Sequence, residues 1–117
     1  MSYLLLIVEP PEQRTERGLQ AGQLAYERML QFGTDLEKRG LLLGANSLAS
    51  PLRGARVQVR NGQKRIVDGP FAEAKEFVGG YFLLNCKTRE EAIAIAADCP
   101  AAQWCTVEVR EIGTCYE

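Results

Sequence analysis

A chain of 117 residues has room for one domain, 1–117, because two would each be too small to bury a useful core. Its 14 basic and 15 acidic residues leave a net charge of -1, so no global field draws it to nucleic acid or to a membrane surface. It contains no histidine, which removes the commonest general base, the commonest metal ligand and every Ser–His or Cys–His nucleophile scheme.

Tyr3 to Val8 is β-rich and almost wholly apolar, as a central strand should be. The run is far shorter than the ~20 apolar residues of a membrane span, and the expected compartment is the cytoplasm. Residues 10–18 are polar and proline-led, a loop or a frayed helical start. From Leu19 to Arg39 the period changes, and Ala25, Met29, Phe32 and Leu36 fall on one helical face, with Gly40 as the stop. Leu41 to Ala45 reads as a second strand. Arg56 to Arg60 then alternates polar and apolar, Asn61-Gly62 is a preferred hairpin turn, and Lys64 to Val67 returns. That pairing sets Val57 opposite Ile66 and predicts an apolar side packed inward. Gly79-Gly80 predicts a tight bend ahead of a strand from Tyr81 to Cys86. Thr88 and Glu91 form a capping box for a helix that buries Ala92, Ile95, Ala96 and Cys99 and stops at Pro100. Thr106 to Arg110 alternates again as the last strand.

The resulting fold class is α+β. It is a ferredoxin-like βαββαβ with an additional β-hairpin strand, an antiparallel sheet with two helices on one face. Tyr3 to Val8 and Tyr81 to Leu84 are apolar at consecutive positions, so both faces of those strands need cover. A second subunit placed face to face supplies it, and a homodimer is expected. The four cysteines, at 86, 99, 105 and 115, form no C-x-x-C pair and read as small apolar fillers, with Cys115 exposed near the tail.

Asp68-Gly69-Pro70-Phe71-Ala72-Glu73-Ala74-Lys75-Glu76, followed by Gly79-Gly80-Tyr81-Phe82-Leu83, resembles the signature of the DGPF branch of the YCII-related family. The opening Tyr-Leu-Leu-Leu-Ile strand, the proline-ended second helix and the closing Val107-Glu108-Val109-Arg110 strand fit the same pattern along the whole chain. The resemblance implies a dimeric α+β barrel and a gene neighbourhood shared with alternative sigma factors. Some YCII-type relatives carry a His and an Asp in a cleft. Here the histidine is missing, so only the aspartate transfers, at Asp68.

Asp68 falls where the hairpin ends, and Gly69-Pro70 turns the chain sharply there. With Glu73 and Glu76 as further carboxylates and Lys75 as a cation, this turn is the candidate for acid–base chemistry, with Asp68 catalytic. Glu73, Lys75, Glu76 and Tyr81 are the candidate ligand-binding residues. The structural alternative makes Asp68 a turn former, Phe71 a core plug and the charged residues a solvated rim. Arg53, Arg56, Arg60, Lys64 and Arg65 form a basic hairpin without interleaved aromatics, which argues against single-strand nucleic-acid binding. No cofactor and no metal site are implied. The functional expectation is a small molecule bound in a cleft around Asp68. The alternative is a non-enzymatic partner or regulatory module acting beside a transcription factor.

Overall fold

Alternation in the first strand decides the architecture. The computed structural model describes residues 2–116. Along it run β1 (Tyr3–Glu9), α1 (Gln13–Arg17), α2 (Leu19–Lys38), β2 (Leu42–Ser47), β3 (Ala55–Arg60), β4 (Gln63–Asp68), β5 (Phe77–Leu84), α3 (Arg89–Asp98) and β6 (Thr106–Glu111). In β1, Tyr3, Leu5, Ile7 and Glu9 are buried, while Leu4, Leu6 and Val8 between them are half-buried. β1 lies between β5 and β6, and β2 extends the sheet beyond β5, giving the antiparallel order β2-β5-β1-β6. This is the ferredoxin-like α+β arrangement.

Both long helices lie on the face marked by Tyr3, Leu5 and Ile7, where Leu36, Phe82, Leu84, Ala92, Ile95, Ala96 and Cys99 complete the core. Leu5, Leu36 and Leu84 are fully buried, each contributing about 1.5–3 kcal/mol by removal from water. The expected stripe of α2 meets this core, and Phe32 stands edge-on to Phe82 with ring centroids 5.1 Å apart. At the head of α3, Thr88 Oγ1 accepts the Glu91 amide at 3.1 Å, while the Glu91 carboxylate accepts from the Lys87 amide. The capping box thus closes one residue further back than its usual form. All four cysteines are free, and Cys115 is exposed.

The hairpin departs from expectation. Val57 does face Ile66, and Asn61 and Gly62 both take positive φ, 53° and 75°, as the turn requires. Yet β3 and β4 form their own two-stranded sheet, and every one of their residues is exposed. The apolar side does not pack inward, and both strands stand outside the main sheet as an arm. A Cα radius of gyration of 16.0 Å, against about 13 Å for a packed domain of 100 residues, reflects that projection.

The root of the arm is a clasp made by the Asp68–Phe71 segment. The Gly69 amide donates to the Gly54 carbonyl at 2.9 Å, and a Cβ on Gly69 would run into the Pro51 carbonyl. The Phe71 ring lies under the Arg56 guanidinium, 4.1 Å from its carbon, and against Gly54. The structure also moves Gly79-Gly80 from a bend into the body of β5, where Gly79 is the extra residue of a β-bulge opposite β1. Gly69→Ala is expected to loosen the arm, read as faster amide exchange across residues 55–68. Gly22 sits in α2 with nothing within 4 Å of an added Cβ, so Gly22→Ala is expected to raise stability by about 0.5–1 kcal/mol in urea unfolding.

Candidate functional site

Glu9 is the buried charge of the core, 5% exposed at the end of β1. Burying a carboxylate is costly unless it is paired, and α1 delivers the partner. Arg14 Nε donates to Glu9 Oε1 at 3.0 Å and Nη2 to Oε2 at 2.7 Å, a bidentate pair. Two further donors go to backbone carbonyls, Leu48 at 3.0 Å and Gly79 at 3.3 Å, and its guanidinium carbon lies 5.1 Å from the Phe77 ring centroid. The bulge explains why glycine stands at 79. A Cβ there would fall inside the Glu9 carboxylate and crowd Arg14. One arginine therefore ties β1, α1, the chain after β2, and β5.

Beside this pair, α2 and the sheet line a cleft of about 1280 Å³. Gly22 and Gly33 on the helix and Gly79 and Gly80 on the strand are among its lining residues. Ile7, Met29, Leu42 and Phe82 give it apolar walls, Glu9 and Arg14 lie at its floor, and Glu27 and Glu37 stand on its α2 side. Large size, apolar walls and a few convergent polar groups are the features of a ligand site, and this one exceeds the ~300–1,000 Å³ of most. At one end Trp104 receives two guanidiniums, Arg17 at 5.6 Å and Arg28 at 5.2 Å from its ring centroid. Gln13 Nε2 donates to the Trp104 carbonyl. Nearby, burial pushes the Cys105 thiol up to about 11, with the Glu9 carboxylate adding to the shift. Cys99 and Cys86 are also raised, chiefly by burial.

The residues singled out from the sequence do not converge. Tyr81 borders the cleft, its hydroxyl accepting a hydrogen bond from Asn46 Nδ2 at 2.9 Å. Asp68, Glu73, Lys75 and Glu76 are exposed and lie outside it. The Asp68 carboxylate makes no hydrogen bond or ion pair among the described residues, while a cis Gly69–Pro70 bond and an Ala74 amide to Phe71 carbonyl hydrogen bond shape the turn. Among the described residues no group of three His, Cys, Asp or Glu side chains is placed to hold a metal ion. Glu9 and Arg14 were missed from the sequence. The available signal was a lone acid ending an apolar strand, a place where a carboxylate must find a partner.

Similarity to known proteins agrees with this fold. The model of the YCII-related domain matches residues 1–114. The chain belongs to the YCII-related family. An uncharacterized protein of Rhizobium meliloti is 43% identical over 37 residues, 32% of this chain and 30% of that protein. The match therefore spans less than a third of that relative's length. No helix among the described residues is long and apolar enough to cross a membrane.

Gly79→Ala is expected to lower stability by about 2 kcal/mol or more, since either the bulge or the Glu9–Arg14 pair must give way. The buried thiols predict a falling stability at high pH. The folded chain keeps the Cys105 proton beyond the pH at which the unfolded chain releases it, so stability present below pH 9.0 is lost as pH rises towards about 11. Urea unfolding across that range should show the decline, shallower in Cys105→Ala.

Proposed function

We propose that this YCII-related chain is a subunit of a homodimer that binds a small molecule, with the ligand in the cleft beneath α2. The observation that carries this reading is the cleft itself: apolar walls over a floor where Arg14 is held by Glu9 and two carbonyls, with a third of its side chain still exposed. A guanidinium fixed in that way is pre-organised to meet an acceptor on a ligand. The homodimer rests on the other face of the sheet. There Leu4, Leu6 and Val8 pair with Leu83, Tyr81 and Val78, so the centre of an uncovered sheet is almost wholly apolar. A second copy laid face to face covers it and makes the dimeric α+β barrel of the DGPF branch. Four free cysteines suit a reducing compartment, and the cytoplasm is the proposed location.

Acid–base chemistry at Asp68 is the enzymatic form of the proposal. It needs that exposed carboxylate, with Glu73, Lys75 and Glu76, to be enclosed by a second subunit or a ligand.

A thermal-shift screen of small metabolites separates the two places. A ligand at about 100 times its dissociation constant adds about 2.7 kcal/mol, an easily read shift. The expected hit stabilises the wild type and Asp68→Asn but not Gly22→Phe, which fills the cleft from a helical position with open space around it. Loss of the hit in Asp68→Asn alone would move the site to the arm root. Hits that survive both substitutions, or no hits at all, would reject the ligand-binding reading.

A further inference from the structure

We propose that the ligand of the cleft is a small organic carboxylate, its acid group received by Arg17 and its apolar body lying along the walls. This rests on the ligand-binding reading above and adds to it the chemical class of the ligand. Arg17 ends α1 and lines the cleft together with Trp104. Its guanidinium carbon stands 5.6 Å from the Trp104 ring centroid, a contact that holds the cation without using any of its donors. Among the described residues the Arg17 side chain has no ion-pair partner, and its Nη2 is buried without a hydrogen bond. A buried donor left unmet is costly, more so on a charged group, so a ligand that brings the acceptor is favoured there. Gln13 Oε1 is buried and unmet as well, but Gln13 is tied to the Trp104 carbonyl and stands outside the lining.

Charge selects the class. Arg14, one helical turn before Arg17, also lines the cleft, but its charge is already matched by Glu9. That leaves one uncompensated positive charge at this end, which a carboxylate balances and a phosphate dianion would exceed. The other acids of the lining, Glu27 and Glu37, are exposed and lie about 12 and 27 Å along the helix from Leu19, at about 1.5 Å per residue. Glu12, Glu16 and Arg28 are exposed and outside the lining. The apolar wall begins beside the charged end, because Ile7 is the inward residue before Glu9 on β1, and Met29 and Phe82 continue it. Acid group and apolar body therefore have separate places in one cleft.

Three probes with the same six-carbon chain test the class: hexanoate, its neutral amide hexanamide, and hexyl phosphate. Each is titrated into wild type, Arg17→Met and Gly22→Phe, with protein NMR shifts reporting site and affinity and circular dichroism reporting fold. Arg17→Met keeps an apolar stem against Trp104 and removes the charge. In wild type, hexanoate should bind about tenfold or more tightly than hexanamide, and Arg17→Met should erase that difference while leaving hexanamide within about twofold. Gly22→Phe should lose both. Equal binding of acid and amide to wild type would overturn the carboxylate, as would an Arg17→Met protein that binds hexanoate like wild type. If Gly22→Phe still loses both probes, the cleft reading survives either result. Hexyl phosphate binding more tightly than hexanoate would also overturn the choice of carboxylate. Hexanoate binding that persists in Gly22→Phe would overturn the proposal and the cleft together. No binding of any probe would overturn the carboxylate, and the cleft reading would fall with it only if the metabolite screen were empty too. The wild-type comparison of acid with amide decides the matter even if Arg17→Met does not fold.

Discussion

The Glu9–Arg14 pair is the constraint from which the working geometry follows. β1 is committed to the core by Tyr3, Leu5 and Ile7, and alternation then drives the next inward position, Glu9, into a buried place as well. A carboxylate there must be neutralised within the protein. Arg14 answers it because α1 begins four residues on, and the bulge at Gly79 makes room for both side chains. The same guanidinium then fixes the chain after β2 through Leu48. With α1 anchored at the sheet end, α2 runs on over the sheet, packing through Met29 and Phe32 and fully buried at Leu36. The cleft lies between the Leu19–Glu37 side of α2 and the sheet end that the pair organises.

The molecule therefore separates into a packed body and two unsatisfied surfaces. The body's core is continuous from Tyr3 to Ala101 and explains its own stability. The open sheet face and the arm do not, since each presents apolar residues that no other described residue fully covers. The proposed homodimer would cover the open sheet face. The clasp at the root gives the Asp68–Phe71 segment a mechanical role. Gly69 and Phe71 hold the root of the arm, and the charged residues around them are exposed.

Much of the fold was legible in the sequence because its signals are local. The α2 stripe of Met29, Phe32 and Leu36, the Asn61-Gly62 turn and the Thr88 cap each depend on spacing over a few residues. What was not legible depends on where distant segments meet. Val57 and Ile66 alternate as a half-buried strand would, but the pattern cannot say that β3 and β4 stand outside the main sheet. Gly79-Gly80 reads as a bend because paired glycines usually make one; that Gly79 serves a bulge under Glu9 needs the register of β1 against β5. The motif drew attention to Asp68, whereas the cleft is built around Glu9 and Arg14, two ordinary residues given meaning by burial.

A double-mutant cycle on Glu9→Gln and Arg14→Met, followed by urea unfolding, tests the account at its centre. If this pair organises the site, each single change is costly and the double change recovers part of the loss, with a coupling of about 1.5 kcal/mol or more. Additive effects, with coupling within about 0.3–0.5 kcal/mol of zero, would mean that the pair holds nothing together and that the cleft owes its shape to something else.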